Sequence, residues 1–553
     1  MSLITVNRVN CKDCYKCVRF CPVKAIRVVD GHAEVVDTRC LGDGNCLAIC
    51  PQHAKQARSD IEAVKALLAS SRPVMASVAP AAAGVFGIML PRLLGALKAL
   101  GFARVEETAR TAEAVARASA ALSPAHGPVI STACPAIVSL IRKYYPQYAG
   151  LLAPVASPMS AHARLLHEEY GEEIAVVFIG PCIAKKGEVT ESEGIDAALT
   201  FDELSDWLAE EGVMLPQVPI AEFDNPPVGV ARLFPLPNGM LRTADLPSDQ
   251  LVTEVLTVSG LPDVMTLLGE LPSLRGVHLI EALACPGGCL LGPGASQGPP
   301  LWQRRAQLLA QQHHDGHGAA PAALATSYPA CPLALPQPTE EEIAAILRRT
   351  GKHDPADEHN CGACGYDTCR EKAVAVFQGM AEAEMCIPYM RSRAESFANV
   401  VLRSTPNGII VVDNALRVLD ANPAFERLFS CRLTEIIGRA VSHLIDDRAY
   451  TRVLRTGKPY INQEATYGAL VVREMVLPVA GEGIVIGVYI DVTEEVAHRQ
   501  KTQHVKQETL GKARQVIEKQ MRVAQEIAGL LGETTAETKV LLTRLIQLYD
   551  EEE

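Results

Sequence analysis

The pattern of apolar and polar positions changes character several times along the chain. Near the N-terminus, AIRVVDGHAEVV runs in short alternating stretches about Asp30-Gly31, the pattern of a β-hairpin. From about Pro73 the apolar stretches lengthen and become rich in Ala, Leu and Val. RLLGALKALG and TAEAVARASAAL repeat at helical spacing, whereas VMASVAP, GPVIST, IAVVFIG and GVHLIEAL are continuous apolar runs that predict buried strands. Strands alternating with helices predict an α/β domain, much of its sheet parallel, over residues 73–335. QQHHDGHGAAPAALATSYPACPLALPQP then reads as a loop, and its histidines, His313, His314 and His317, as surface residues. Thr339 and Glu342 carry the capping-box pattern that starts a helix. Further on, GIIVVD, RVLDAN, EMVLPVA and GIVIGVYIDVTEE predict a small mixed sheet, with a turn at Asp413-Asn414 and a helix in NPAFERLF. After Glu494 the pattern is helical. Leu510, Ala513, Ile517, Met521 and Ala524 form one apolar stripe; Gly532 breaks it, and Thr534 with Glu537 caps a last helix bearing Val540, Leu541 and Leu545.

Length and composition add bounds. The 553 residues suggest three to five domains, and 48% hydrophobic with 21% charged residues is the balance of a globular protein with real cores. A formal net charge of -12 argues against a nucleic-acid backbone as the main partner. No apolar run approaches the ~20 residues of a membrane span. The opening MSLITVNRVNCKDC has no basic region followed by an apolar stretch, so a cytoplasmic location is expected. The 17 cysteines change the picture most, because in a reducing compartment metal binding explains them better than disulfides.

CKDCYKCVRFCP, residues 11–22, has the spacing Cys-x2-Cys-x2-Cys-x3-Cys-Pro, and CLGDGNCLAICP, residues 40–51, repeats its length with Asp43 in place of the second cysteine. The runs resemble the bacterial ferredoxins with two [4Fe-4S] clusters, over residues 1–60. That resemblance implies one cluster on Cys11, Cys14, Cys17 and Cys50. A second rests on Cys21, Cys40 and Cys46, with Asp43 as a candidate oxygen ligand and a labile corner that interconverts three-iron and four-iron forms.

In the central domain, cysteines stand at the ends of predicted strands: Cys134 after GPVISTA, Cys182 after IAVVFIGP, and Cys285 and Cys289 after GVHLIEALA. Carboxyl ends of strands in an open α/β sheet are where ligands bind. STACPAIV, GPCIAKKGE and EALACPGGCLLGPG, in that order, resemble the three signature loops of the iron-only (FeFe) hydrogenases. The resemblance implies that Cys134, Cys182, Cys285 and Cys289 hold the [4Fe-4S] part of an H-cluster. Cys289 would bridge to a diiron subsite carrying CO, CN and a bridging dithiolate, Lys185 would hydrogen-bond a cyanide, and Glu188 matches the glutamate of the same loop. Cys289 and Lys185 are then the residues nearest the chemistry. Three positions depart from the family: Ala133 stands where efficient enzymes carry a proton-relaying cysteine, Gly180 replaces a methionine, and Pro293 interrupts a glycine run. A positioned proton donor typically contributes about 10²–10⁴-fold in rate, so slow turnover is expected.

CGACGYDTCREKAVAVFQGMAEAEMC places Cys361, Cys364, Cys369 and Cys386 at Cys-x2-Cys-x4-Cys-x16-Cys and resembles a small helical [4Fe-4S] domain, over residues 338–392. Cys331 and Cys431 have no such pattern and are expected to be ordinary residues. Residues 395–495 resemble a PAS domain, and 496–553 form a helical segment suited to homodimerisation. The fold class expected is therefore multidomain, α/β and α+β. The functional expectation is a sensory, low-turnover FeFe hydrogenase that exchanges H2 with protons and electrons and meets a ferredoxin or other redox partner and a separate signalling protein. Two alternatives stand beside it: a catalytic ferredoxin-linked hydrogenase, and an iron–sulfur carrier or assembly protein without the diiron subsite.

Overall fold

A computed structural model describes all residues except 1, 123–126, 249–252, 313, 314, 480, 482, 532–534 and 551–553. The side chains of 395, 398, 528–531, 535–537 and 548–550 are also outside the description. The chain divides into two compact units, Met1–Met390 and Arg391–Glu553.

The first unit begins with four short strands, β1 (Ile4–Val6), β2 (Ile26–Val29), β3 (His32–Val35) and β4 (Lys55–Ala57). β1 pairs antiparallel with β4, and β2 with β3 through the hairpin expected at Asp30-Gly31. Both turn residues have positive φ, 51° and 77°, as the tightest hairpins require.

Seven further strands follow: β5 (Val74–Val78), β6 (Arg104–Glu107), β7 (Val129–Ile130), β8 (Ala175–Gly180), β9 (Ala197–Thr200), β10 (Val255–Ser259) and β11 (Leu279–Leu283). They form two wholly parallel sheets, in the orders β6-β5-β8-β9 and β10-β11-β7. The pattern of the sequence located β5, β7, β8 and β11. It missed β6, β9 and β10, whose RVEE, AALT and VLTVS lack a long apolar run. Every residue of β5, β8 and β11 is buried, as expected of parallel strands covered on both faces.

The expectation that no apolar run approaches membrane-spanning length needs correction. Ala81–Ala99 is a 19-residue helical stretch long and apolar enough to cross a bilayer by composition. Here it turns at Gly87 (φ 53°) between two helices and buries Leu90, Leu93, Leu94 and Leu97 in the main core. The buried Lys186 ties this domain to the segment leaving the N-terminal module, donating to Asp60 (3.2 Å), Glu203 (2.9 Å) and the carbonyl of Ala198 (2.6 Å).

Helix Glu340–Arg349 starts with the full Thr339–Glu342 capping box and packs Ile343 and Leu347 against Ala373 of helix Cys369–Phe377. His317 is exposed, and His313 and His314 lie outside the described residues. Cys331 is exposed.

The second unit has a five-stranded antiparallel sheet of β12 (Gly408–Asp413), β13 (Val418–Ala421), β14 (Tyr460–Tyr467), β15 (Leu470–Val479) and β16 (Ile484–Asp491), in the order β13-β12-β16-β15-β14. Asn422 caps helix Pro423–Leu428 by accepting from the Phe425 amide at 2.9 Å. Polar YINQEATY hid β14, whose residues are all exposed or half-buried. Aromatic side chains fill the interior: Tyr450 and Tyr489 share a 2.8 Å hydroxyl bond, Tyr489 donates to Glu474 at 3.1 Å, and Phe425 and Phe429 pack on Tyr489. Helix Thr493–Leu531 leaves Val505, Val516, Val523 and Ile527 exposed, and Thr535–Asp550 does the same for Val540, Leu541 and Leu545. The predicted break at Gly532 and cap at Thr534 and Glu537 fall outside the described residues or side chains.

Candidate metal centres and active site

Cys134, Cys182 and Cys285 follow the carboxyl ends of β7, β8 and β11, and Cys289 lies one short loop beyond. Cys134 precedes helix Pro135–Tyr144, with proline at the first helical position. Gly288 (φ 85°) is needed where it is. A Cβ there would lie 2.2 Å from the Pro235 carbonyl, the same carbonyl that receives the Cys289 amide at 2.8 Å. All four cysteines line one cleft, with Asp43, Pro181 and Pro293 in its wall.

A second cavity adjoins it and shares Cys134, Cys182 and Cys289. Its wall is mostly apolar: Ala79, Ala109, Ala112, Ala133, Met159 and Phe178 take part, with Lys185 and Thr108 as polar members. Gly180, which departs from the family pattern, has a packing reason. A Cβ there would sit 2.6 Å from the Phe178 ring that lines the cavity. Lys185 is held by Glu188 Oε2 at 2.6 Å and donates to Ser157 Oγ at 2.9 Å. Ser157 and Ser160 both donate to Glu188 Oε1, the latter at 2.9 Å. Neither serine was singled out by the sequence reading, because Ser157 carries the capping signal of helix Pro158–Tyr170 and Ser160 is an ordinary residue of its first turn.

In the N-terminal module, Cys21, Cys40, Asp43 and Cys46 come together. Burial pushes the Cys21 thiol up to about 12, and the neighbouring Asp43 and Cys40 push the same way. Burial likewise raises Cys40, Cys46 and the Asp43 carboxyl. Cys11, Cys14 and Cys17 form the second group, and burial raises Cys17. Backbone amides already point at the sulfurs: Ala25 donates to Cys21 at 3.2 Å, Gly42 to Cys40 at 3.3 Å and Ala54 to Cys50 at 3.4 Å. Cys361, Cys364, Cys369 and Cys386 line one pocket with the buried Lys352, whose ammonium donates to Cys386 Sγ at 3.4 Å.

These sites fit iron–sulfur clusters. In the central cleft, burial pushes Cys182 up to about 11 and Cys285 and Cys289 far above the usual thiol range, and the neighbouring sulfurs add to each rise. Such crowding of would-be thiolates calls for a metal core between them. Lys55 supplies a second sign. It is buried, its ammonium has no hydrogen-bond partner among the described residues, and it acts electrostatically on both Cys17 and Cys46. A cluster carrying negative charge on each side gives that ammonium its counter-charge.

The loops bring the centres into sequence. A Cβ on Gly44 (φ 75°) would meet Pro293 at 2.4 Å and Ile183 at 2.9 Å; one on Gly42 would meet the Ala184 Cα at 3.1 Å. The loop bearing Asp43 is thus seated on the two loops bearing Cys182 and Cys289, and Pro293 is the residue it rests on. On the other side, Lys24 donates to the Gly365 carbonyl at 2.9 Å, Arg19 to that of Ala363 at 3.1 Å, and the Val28 amide to that of Met380 at 3.0 Å. Buried Tyr366 stands between Cys364 and Cys21, with charge effects from both.

Four segments of the chain match protein families. Residues 72–293 match the iron only hydrogenase large subunit, C-terminal domain. Residues 3–51 match a 4Fe-4S dicluster domain, 358–388 a putative Fe-S cluster domain and 402–497 a PAS fold. The NADP-reducing hydrogenase subunit HndD of Solidesulfovibrio fructosivorans is 24% identical over 330 residues, covering 47% of this chain and 56% of that protein. The chain thus spans about half the length of that relative. The periplasmic [Fe] hydrogenase large subunit of Nitratidesulfovibrio vulgaris is 25% identical over 367 residues, 53% of this chain and 86% of that one. Among solved structures, an apo form of the [FeFe]-hydrogenase HydA1 from Chlamydomonas reinhardtii aligns at 18% identity over 50% of this chain and 100% of its own, with a TM-score of 0.40. The PAS domain of nitrogen regulation protein NR(II) from Vibrio parahaemolyticus aligns at 22% identity over 17% of this chain and 96% of its own, with a TM-score of 0.16.

Proposed function

We propose that this chain, which carries an iron-only hydrogenase C-terminal domain between iron–sulfur modules and a PAS domain, is a sensory hydrogenase of low turnover. The reaction is the reversible conversion of H2 into two protons and two electrons. The diiron group, when bound, supplies the bond-making chemistry. The chain's own residues do the rest. Cys289 and Lys185 face the cavity where that group fits, and the Glu188–Ser157–Ser160 cluster fixes the ammonium so that it offers a proton in one direction. The wall of that cavity is mostly apolar.

One observation carries the sensory reading. Ala133 stands in the cavity wall beside Cys134 and Lys185, where the family's fast members have a thiol, and a methyl group has no proton to give. Slow chemistry suits a site that reports H2 or redox state. Electrons leave through the neighbouring clusters to a ferredoxin or similar carrier, and the state of the chain passes through the PAS domain to a separate signalling protein. The exposed apolar faces of the last two helices suit a homodimer. The protein acts in the cytoplasm, on no nucleic acid and in no membrane.

The test is to mature the protein with a diiron precursor and record CO and CN infrared bands under H2 and under argon. Bands that respond to H2 with feeble turnover support the proposal. Bands with fast turnover favour a ferredoxin-linked catalyst, and absence of bands favours an iron–sulfur carrier.

A further inference from the structure

The cavity wall without a thiol poses a problem of proton supply, and a buried chain of polar side chains answers it. Thr108 belongs to the wall of the cavity beside Cys134, Cys182 and Cys289, with Ala109 and Ala112. Its hydroxyl lies 2.8 Å from that of Ser77, which in turn lies 2.8 Å from His162 Nδ1. The other ring nitrogen, Nε2, has no hydrogen-bond partner among the described residues and faces Glu106 Oε2 at 3.5 Å. Thr108, Ser77, His162 and Glu106 are all buried, the last three at 1% exposure or less. Beyond Glu106 the surroundings open. Tyr170, 36% exposed, donates to Glu106 at 3.0 Å; Arg110 binds Glu106 at 2.9 Å and Glu169 at 2.7 Å; Arg104 contacts Glu106 at 3.2 Å.

Four polar side chains in line through an apolar core are costly unless they do something, and the line runs from cavity to surface. We propose that Thr108, Ser77, His162 and Glu106 form a proton relay between solvent and the cavity, in place of the missing thiol at Ala133. The inference rests on the reading of the cavity as a site of proton chemistry. Against the effect of burial, His162, Arg110 and Tyr170 lower the Glu106 pKa to about 2, so inward its carboxylate takes a proton at its Tyr170 side only transiently and passes it to His162 Nε2. The Nδ1 proton moves to Ser77 Oγ, the Ser77 proton to Thr108 Oγ1, and the Thr108 proton to an acceptor in the cavity. Each hydroxyl gains one proton and loses one, no electron moves, and the return of the ring to its Nδ1–H tautomer with rotation of the hydroxyls resets the line. Burial lowers the His162 pKa, so the ring is neutral at rest with one nitrogen free to accept. The 3.5 Å step exceeds a hydrogen bond, which makes the relay slow and agrees with low turnover.

The experiment uses the full-length matured protein with Ser77→Ala, which removes one oxygen atom, and His162→Gln as the second variant. Two measurements are made: H2 evolution from a chemical reductant, and the nitrogen NMR shifts of His162 in the metal-free chain. The expected result is a tenfold or larger loss of rate in both variants with unchanged CO and CN bands. In Ser77→Ala the Nδ1 resonance also shifts as its hydrogen bond is lost. Wild-type rates with intact bands in both variants overturn the relay and leave the proposed function standing. An Nδ1 resonance indifferent to Ser77→Ala overturns it too. Absence of bands in the parent protein overturns the proposed function, and the relay with it.

Discussion

Glu281 gives the sharpest quantitative expectation. It is the central residue of β11, 2% exposed, four residues before Cys285. Its carboxyl accepts from the Met240 amide at 3.0 Å and from Thr257 Oγ1 at 2.9 Å; Thr257 is its register partner on β10. Burial pushes its pKa from the ordinary 4.5 to about 7, against the pull of those two hydrogen bonds. The raised value means that the folded state holds a proton which the unfolded state releases between pH 4.5 and 7. Stability from this group is therefore complete below about pH 4.5 and falls until pH 7, by about 1.4 kcal/mol per unit, or roughly 3 kcal/mol in all. Glu281→Gln keeps an acceptor for Met240 and removes the titration. The variant should match the parent near pH 4.5 and exceed it by roughly 3 kcal/mol at pH 8. Urea unfolding at several pH values, followed by the fluorescence of Trp207, reads this domain directly, because Trp207 is buried in its core and the second tryptophan, Trp302, is exposed. A stability difference that does not change with pH would refute the argument.

Other predictions follow from the loops and charges. Gly44→Ala forces a side chain into positive φ and onto Pro293, and should cost about 2 to 4 kcal/mol in urea unfolding while loosening the Asp43 loop. Lys55→Met removes the buried positive charge acting on Cys17 and Cys46. The potentials of the N-terminal clusters should fall by roughly 40–90 mV, a charge interaction of about 1–2 kcal/mol, as read by titration followed with electron paramagnetic resonance. Ala133→Cys should raise the rate of H2 evolution in the matured protein; an unchanged rate would show that the absent thiol is not what limits turnover.

Much of the layout was legible because cysteine spacing is rigid chemistry. A run such as CKDCYKCVRFCP has few uses, and strand ends that each deliver a cysteine point to one convergent site. The missed strands β6, β9 and β10 are short and carry polar residues or alanine, so their burial is decided by neighbours that the local pattern does not reveal. The polar line from Thr108 to Glu106 was hidden for a similar reason. Ser77, Thr108 and His162 stand 31 and 54 residues apart in order, and each alone is an ordinary residue of its element. Only β5, β6 and helix Pro158–Tyr170, brought side by side, make them a chain.

The departures from the family pattern look, residue by residue, like unrelated losses, yet the packing joins two of them to the redox layout. Gly180 makes space for the Phe178 ring in the cavity wall, and Pro293 makes the surface on which Gly44 seats the Asp43 loop. The Asp43 loop therefore faces two ways: its carboxylate belongs with Cys21, Cys40 and Cys46, and the same residue forms part of the wall of the cleft of Cys134, Cys182, Cys285 and Cys289. Tyr366 brings the 361–386 pocket to the other side of Cys21. The site of Cys21, Cys40, Asp43 and Cys46 thus lies between the central cleft and the 361–386 pocket. An oxygen donor is a poorer match for iron than a thiolate. Asp43 therefore puts a carboxylate, not a thiol, at the junction between the N-terminal module and the cleft of Cys134, Cys182, Cys285 and Cys289.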